Sequence, residues 1–300
     1  MNRRTGLHRG AGLLALLLVA EVCSAQGVDP VLELSRLLVL SRPSAVAVHP
    51  DGSILVADPS GGRVVRVDST GRVLGSAAAG AAGASFRPGG IDATNGLLLF
   101  VVEPETGRIL RFARDGRFLE AMPVAGGDDD VSTSFARREG SSSGASDGRP
   151  ISVAATDDGR MFVVDEAVAG LRIYDLGRRL LRTVGRAFGD KLPIRPVAVA
   201  RGYDRIWVAD AGLPGLVVFD RFGGLLRTLG VGSRRSPVSV AVGPSGIWLV
   251  EASSVRLFSP NGEQVGRFGW DASIRAVGVA EAPGRLYVLT NDGLYVAIIP

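Results

Sequence analysis

Cysteine, histidine and lysine are nearly missing from this chain. Cys23 is the only cysteine in 300 residues. It lies close to the N-terminus, inside a leader-like segment. Disulfide staples, thiol catalysis and Cys-ligated metals are thereby excluded from the rest. There are two histidines, His8 and His49. A histidine-based zinc site needs several converging ligands, and a Ser–His–Asp relay needs its histidine in a pocket. His49 falls in the turn sequence Val48-His49-Pro50-Asp51-Gly52, on the face expected to lie away from a ligand, and is not read as catalytic. Lys191 is the only lysine, arginine supplying the other basic residues. The formal charge is only +4, and about half of it belongs to the leader (Arg3, Arg4, Arg9 and Glu21). So small a bias gives no reason to expect a nucleic-acid partner. No phosphate-binding loop is present, and no long 3.6-residue apolar stripe appears beyond the N-terminus.

The leader reads as an export signal. Three arginines precede the apolar run from Ala11 to Ala20, and Cys23-Ser24-Ala25 leads to Gln26. Ten apolar residues are too few for a permanent span. Cleavage after Ala25 is expected, leaving residues 26–300 as one domain with no transmembrane segment, exported to the periplasm or the cell exterior. Glu21-Val22 before Cys23 argue against lipidation, and Thr5-Gly6 after Arg3-Arg4 fit twin-arginine export poorly. The remaining chain is long enough to bury roughly 70–75% of its surface without staples. A monomer is expected.

What the chain has in abundance is a repeat. Small-residue segments begin at Val46, Ile91, Val153, Val197, Val240 and Val277, with spacings of 45, 62, 44, 43 and 37 residues. All but the second spacing suit a propeller blade. Between Gly-centred turns such as Asp51-Gly52, Asp115-Gly116 and Asn261-Gly262 lie short β-branched runs, as in RVVRVD from Arg63 and GLVVFD from Gly215. Each copy reads as four antiparallel strands. One such sheet is too small to stand alone, but radially stacked sheets bury one another's faces. The fold class is therefore all-β: a six-bladed β-propeller of four-stranded antiparallel blades. The sixth copy ends after three strands. The segment VLELSRLLVL from Val31 is expected to supply its outer strand, closing the ring and removing an exposed edge.

The first copy, RPSAVAVHPDGSILVADPSGGRVVRVDSTGRVLG from Arg42 to Gly75, resembles the NHL repeat. That pattern has a Pro-led start, a Gly turn, a "VAD" strand end and an Arg-bearing third strand. The resemblance extends over about residues 31–300, good in the first copy and weak in the second and sixth. It implies six blades and an exported scaffold that binds a protein or small ligand. The single usable histidine argues against the zinc lyases related to that family. A gluconolactonase-like member would hold a divalent metal between carboxylate and amide ligands at the channel mouth. No Glu stands in the first inner strand and no Asn series in the middle blades. Asn291-Asp292 resembles one such element, yet also makes an ordinary turn with Gly293.

Two kinds of residue carry chemistry. Acids recur at the end of each second strand: Asp58, Glu103, Asp165, Asp210 and Glu251, with Thr290 in the sixth copy. Repetition in every blade argues for capping the following turn or pairing with Arg63, Arg108 or Arg172. The other kind breaks the repeat. Asp92 stands where other copies have Ala47, Ala154, Ala198, Ala241 and Gly278; unpaired burial there is costly, so it must face the channel or meet a donor. Arg195 and Arg275, two positions before their inner strands, are expected near the channel mouth. With Arg87 and Arg149 they offer fork-like hydrogen bonds to an anion, or else they pair with Asp92, Asp190 or Asp271. The long second spacing holds a polar Gly/Ser-rich insertion at about 125–148, expected to be mobile and to overhang the same face. Its three adjacent Asp, Asp128 to Asp130, lack the spacing of a calcium loop. Phe135, Phe188 and Trp270 are candidate partner contacts on that face.

The sequence thus leads to an expectation: a non-catalytic exported binder whose channel-mouth face takes a protein or a small anionic ligand. No catalytic residue, metal or cofactor is assigned. The alternative is a metal-dependent hydrolase or lactonase using channel carboxylates.

Overall fold

The structure is a computed structural model, describing residues 30–78, 86–93, 96–124, 148–185, 189–193, 195–230, 235–271 and 273–299. Strand β1 (Ser35–Val39) comes first. Blade 1 holds β2 (Ala45–Val48), β3 (Ile54–Asp58), β4 (Arg63–Val67) and β5 (Val73–Ala78). Blade 2 holds β6 (Ile91–Asp92), β7 (Leu98–Glu103), β8 (Arg108–Ala113) and β9 (Phe118–Pro123). Blade 3 holds β10 (Pro150–Ala155), β11 (Met161–Asp165), β12 (Gly170–Tyr174) and β13 (Leu180–Val184). Blade 4 comprises β14 (Pro196–Gly202), β15 (Arg205–Asp210), β16 (Gly215–Asp220) and β17 (Leu225–Gly230). Blade 5 comprises β18 (Ser239–Gly243), β19 (Gly246–Glu251), β20 (Ser254–Phe258) and β21 (Gln264–Gly269). Blade 6 comprises β22 (Ala276–Ala282), β23 (Arg285–Thr290) and β24 (Gly293–Ile298), with β1 as its fourth strand. Every pairing within a blade is antiparallel.

β1 lies along β24, with Arg36 opposite Tyr295 and Leu38 opposite Leu294. The residues before it continue the seam onto blade 5. There Leu32 N–H donates to the Gly269 carbonyl at 2.8 Å, and Gly269 N–H to the Pro30 carbonyl at 2.9 Å. Strands from opposite ends of the described chain therefore share one sheet, and the outer edge of β24 is hydrogen-bonded. Gly71 shows how tightly the seam sits: its φ is +88°, and an added Cβ would lie 2.5 Å from the Leu37 carbonyl oxygen.

The core is divided among six clusters, one at each blade junction. Trp248 and Leu257 of blade 5 meet Leu286 and Val288 of blade 6; Phe162 and Ile173 of blade 3 meet Val208 and Phe219 of blade 4. The other four junctions repeat the arrangement. Each fully buried Leu, Val or Phe contributes about 1.5–3 kcal/mol relative to exposure. The second and third strands of each blade are accordingly buried nearly throughout, with the fourth exposed on one face. A register shift recurs between third and fourth strands in blades 1 to 5, as at Arg66/Val67 and Leu257/Phe258. Such bulges raise the local twist that radial stacking requires.

The blade-to-blade connections and second-to-third-strand turns form one face, here called upper. The remaining turns form the lower face. Blade 2 departs from the pattern: its inner strand is two residues long, against four to seven elsewhere. Among the described residues, no helix is long and apolar enough to cross a membrane.

Candidate functional site

The recurring acids are saturated by local donors. All five, and Thr290, are buried. Asp58 accepts from Gly61 N–H at 3.0 Å and Arg63 Nε at 3.1 Å. Asp165 accepts from Arg149 N–H at 2.8 Å, Ala167 N–H at 3.0 Å and Arg172 Nε at 2.6 Å. Asp210 accepts from Arg195, Gly212 and Leu213 N–H. Glu103 takes Arg87 N–H and the Arg108 guanidinium; Glu251 takes Ser254 Oγ and Arg256 Nε. Each acid closes the next turn, and in blades 2, 3 and 4 it also fixes the loop entering its own blade. This ring is a blade fastener, as its repetition suggests.

The central channel is a different environment. The six inner strands enclose a cavity of about 410 Å³, within the range of small-molecule sites, roughly 300–1,000 Å³. Its wall is mostly small and apolar, and short polar groups bridge neighbouring blades across it. Ser44 Oγ of blade 1 donates to the Pro88 carbonyl of blade 2 at 2.8 Å. Asp92 Oδ2 of blade 2 accepts from Ala155 N–H of blade 3 at 2.6 Å. Val199 N–H of blade 4 donates to Ser152 Oγ of blade 3 at 3.1 Å. These contacts satisfy backbone groups on inner edges that no further strand covers.

Of the five residues expected to bind a ligand, only Asp92 lines the channel; Arg87, Arg149, Arg195 and Arg275 do not, and all four are exposed. The alternative pairings with Asp92, Asp190 and Asp271 are corrected as well. Arg87 meets Glu105 at 3.3 Å and Arg149 meets Glu166 at 2.8 Å, both on second-to-third-strand turns. Arg195 reaches the Ala211 carbonyl at 3.5 Å. Asp190 instead pairs with Arg182, and Asp271 with Ser273. Trp270 is no partner contact: it is 5% exposed and packs in the cluster between blades 5 and 6. Phe135, Phe188 and nearly all of the 125–148 insertion lie outside the described residues. Asn291-Asp292 is a tether for the seam: Asn291 carbonyl accepts from Arg42 N–H at 2.8 Å, and Asp292 pairs with Arg36 at 2.6 Å.

Three further ionisable residues line the channel, Glu281, His49 and Arg201, the last paired with Asp157 at 2.6 Å. Glu281 sits at the end of β22 and reaches blade 5. There its Oε1 accepts from Ser245 Oγ at 2.5 Å, and its Oε2 accepts from Trp248 Nε1 at 2.6 Å. Burial pushes its carboxyl above the ordinary value, against the pull of the Ser245 and Trp248 hydrogen bonds. Gly243 leaves the room it needs, since a Cβ there would lie 2.2 Å from Glu281 Oε2. Burial and the nearby Glu281 charge also raise Tyr203. His49, buried in the first lower turn, places Nδ1 3.0 Å from Asp51 Oδ1. The sequence signal for Glu281 was an acid within the small-residue run AVGVAEA, a break of the same kind as Asp92.

A divalent metal finds no donor set here. Among the described residues, no group of three or more His, Cys, Asp or Glu converges. Asp92 and Glu281 each face N–H or O–H donors, whereas a cation needs several oxygens turned to one point. The described channel residues therefore do not supply the carboxylate set of a gluconolactonase-like metal centre.

No protein-family model matches the chain, and no curated protein matches it either. Solved structures similar in fold include the following three. A streptogramin B lyase structure is 12% identical, with TM-score 0.61, covering 89% of this chain and 87% of that one. Virginiamycin B lyase from Staphylococcus aureus is 13% identical, with TM-score 0.59, covering 89% and 88%. A gluconolactonase from Xanthomonas campestris is 17% identical, with TM-score 0.60, covering 90% of both chains. These neighbours, two lyases and a gluconolactonase, correct the expectation of a non-catalytic binder in favour of the enzyme alternative, while the likeness itself, at 12–17% identity, shows the six-bladed fold. That expectation leaned on missing thiols and histidine clusters, and such absences do not separate a binder from an acid–base enzyme.

Proposed function

We propose that this chain is a hydrolase of the lactonase type, opening a small cyclic ester in its central channel by acid–base chemistry with Asp92 as the base. Lactonases and lyases share one need, a group that takes a proton as a bond to oxygen or carbon is made or broken. The observation that carries this reading is the placement of Asp92. It is a buried carboxylate in a mostly small and apolar channel wall, and it ends the shortest inner strand. Ala155 N–H holds Oδ2, so the carboxylate is oriented before any substrate arrives. The repeat pattern also supports placing the chain among NHL-like propellers; fold does not assign chemistry, so the reading rests on the site.

The test is a screen of the purified full chain against small lactones, following acid release at constant pH. The expected result is turnover that falls about 100-fold or more in Asp92→Asn, in a variant that melts as the wild type does. Turnover unaffected by this substitution counts against the assignment.

A further inference from the structure

We infer that the substrate is an uncharged lactone bearing an alkyl arm, rather than a sugar lactone, and that the arm lies on an aliphatic crescent formed by blades 3 to 6. The inference rests on the lactonase reading above and names its substrate class. The crescent arises from the way the inner strands begin. In blades 3, 4 and 6 the pairing with the second strand skips one residue: Ile151 between Pro150 and Ser152, Val197 between Pro196 and Ala198, and Val277 between Ala276 and Gly278. A bulged residue is left out of the ladder and its side chain is re-aimed. All three are β-branched aliphatics that line the channel and are only half-buried. In blade 5, Val238 stands just before β18, lines the channel and is 38% exposed. At the station where repeat spacing pointed to Arg195 and Arg275, the folded strands thus place Val197 and Val277.

The opposite side of the same upper mouth is built differently. The residue after the entry proline is Ser44 in blade 1 and Gly89 in blade 2, against Ile151, Val197 and Val238 in blades 3, 4 and 5. Blade 2 also carries Asp92. Inner strands touch in the ring order of the blades, so blade 5 stands across the channel from blade 2. A lactone ring set against Asp92 faces the crescent with its substituent.

Charge and hydrogen bonding narrow the class. The channel wall holds two carboxylates, Asp92 and Glu281, and one guanidinium, Arg201, which is engaged by Asp157. That balance disfavours an anionic substrate, and an aliphatic crescent disfavours a charge of either sign on the arm. A sugar lactone brings several hydroxyls, each of which needs a partner once it leaves water. Among the described residues, the lining has no Thr, Tyr, Asn or Gln, and its hydroxyls are those of Ser44, Ser152 and Ser239. Ser44 Oγ already donates to the Pro88 and Gly89 carbonyls at 2.8 and 2.9 Å, and Ser152 Oγ accepts from Val199 N–H at 3.1 Å. An alkyl arm needs no such partners and gains by covering aliphatic surface.

Calorimetric titration of the purified full chain with δ-valerolactams, which share the shape of the lactones but resist opening, tests the class apart from turnover. Lengthening the alkyl arm is expected to tighten binding about fourfold per methylene until the cavity of about 410 Å³ is filled. Gluconolactam is expected to bind about 100-fold more weakly than the longest arm. Val197→Ala with Val277→Ala is expected to lower the long-arm affinity about tenfold and to leave unsubstituted valerolactam unchanged. If that pair does not fold, Val238→Ala, at the more exposed position, is read in the same way. Affinity that ignores arm length, or gluconolactam as the tighter ligand, overturns the inference. Alkyl preference in a chain that opens no lactone upholds the crescent and removes the Asp92 reading. Asp92-dependent opening of gluconolactone without alkyl preference does the reverse.

Discussion

Asp165 and Asp92 are both buried carboxylates held in opposite ways. Asp165 has an arginine, two turn amides and a blade around it, and its counterparts recur at the same station in blades 1, 2, 4 and 5. Asp92 has no counterpart: the same station in other blades is alanine or glycine, and it faces the cavity shared by all six. The contrast separates a group that every blade needs in order to stand from a group only the assembled channel can use. Arg172 beside Asp165 sharpens it, because that pair is almost entirely removed from water. Such pairs are costly to break even where their formation contributes little net stability.

The comparison breaks most visibly at Asp165. Replacing it by Ala strands the Arg172 charge and two turn amides, and denaturant titration should show a loss of about 3–5 kcal/mol. A loss below about 1 kcal/mol would remove the fastening role. Gly243→Ala comes next. Its Cβ collides with Glu281 Oε2, so a loss of about 1–3 kcal/mol is expected, partly recovered when Glu281 is also shortened to Ala.

Glu281→Gln should change pH dependence more than stability at low pH. The native state holds the Glu281 proton more tightly than the unfolded chain. Its contribution is therefore complete below the ordinary value of 4.5 and is lost as pH rises through the elevated folded value. Melting curves across that interval should slope downward in the wild type and flatten in the variant; equal slopes would refute the assignment. The smallest effect belongs to the rim. Arg87→Ala breaks an exposed pair with Glu105 and should alter stability by no more than about 0.5 kcal/mol.

The blades and their fasteners were legible because both repeat. Six small-residue cores, all but one of their spacings suited to a blade, with Gly turns and acids at one station, define strands such as Ser239–Gly243 to within a residue or two. Side chains that meet across blade junctions were harder to read. Arg87 turns to Glu105 on its own blade because the exposed turn offers a carboxylate there, a choice that spacing along one strand does not encode. Trp270 stands in a loop in sequence, yet the junction between blades 5 and 6 has room to bury it. Glu281 reaches Trp248, in the neighbouring blade. His49 looked like a turn residue and is one; that the same turn also borders the channel emerges only when six blades close around it.

The central claim is that the channel wall, and not the ring of fasteners, holds the reacting carboxylate. Initial rates of lactone opening by wild type and Asp92→Asn, measured side by side with their melting temperatures, address it most directly. The account predicts matching melts and a rate ratio of about 100 or more. Matching melts with equal rates would contradict it.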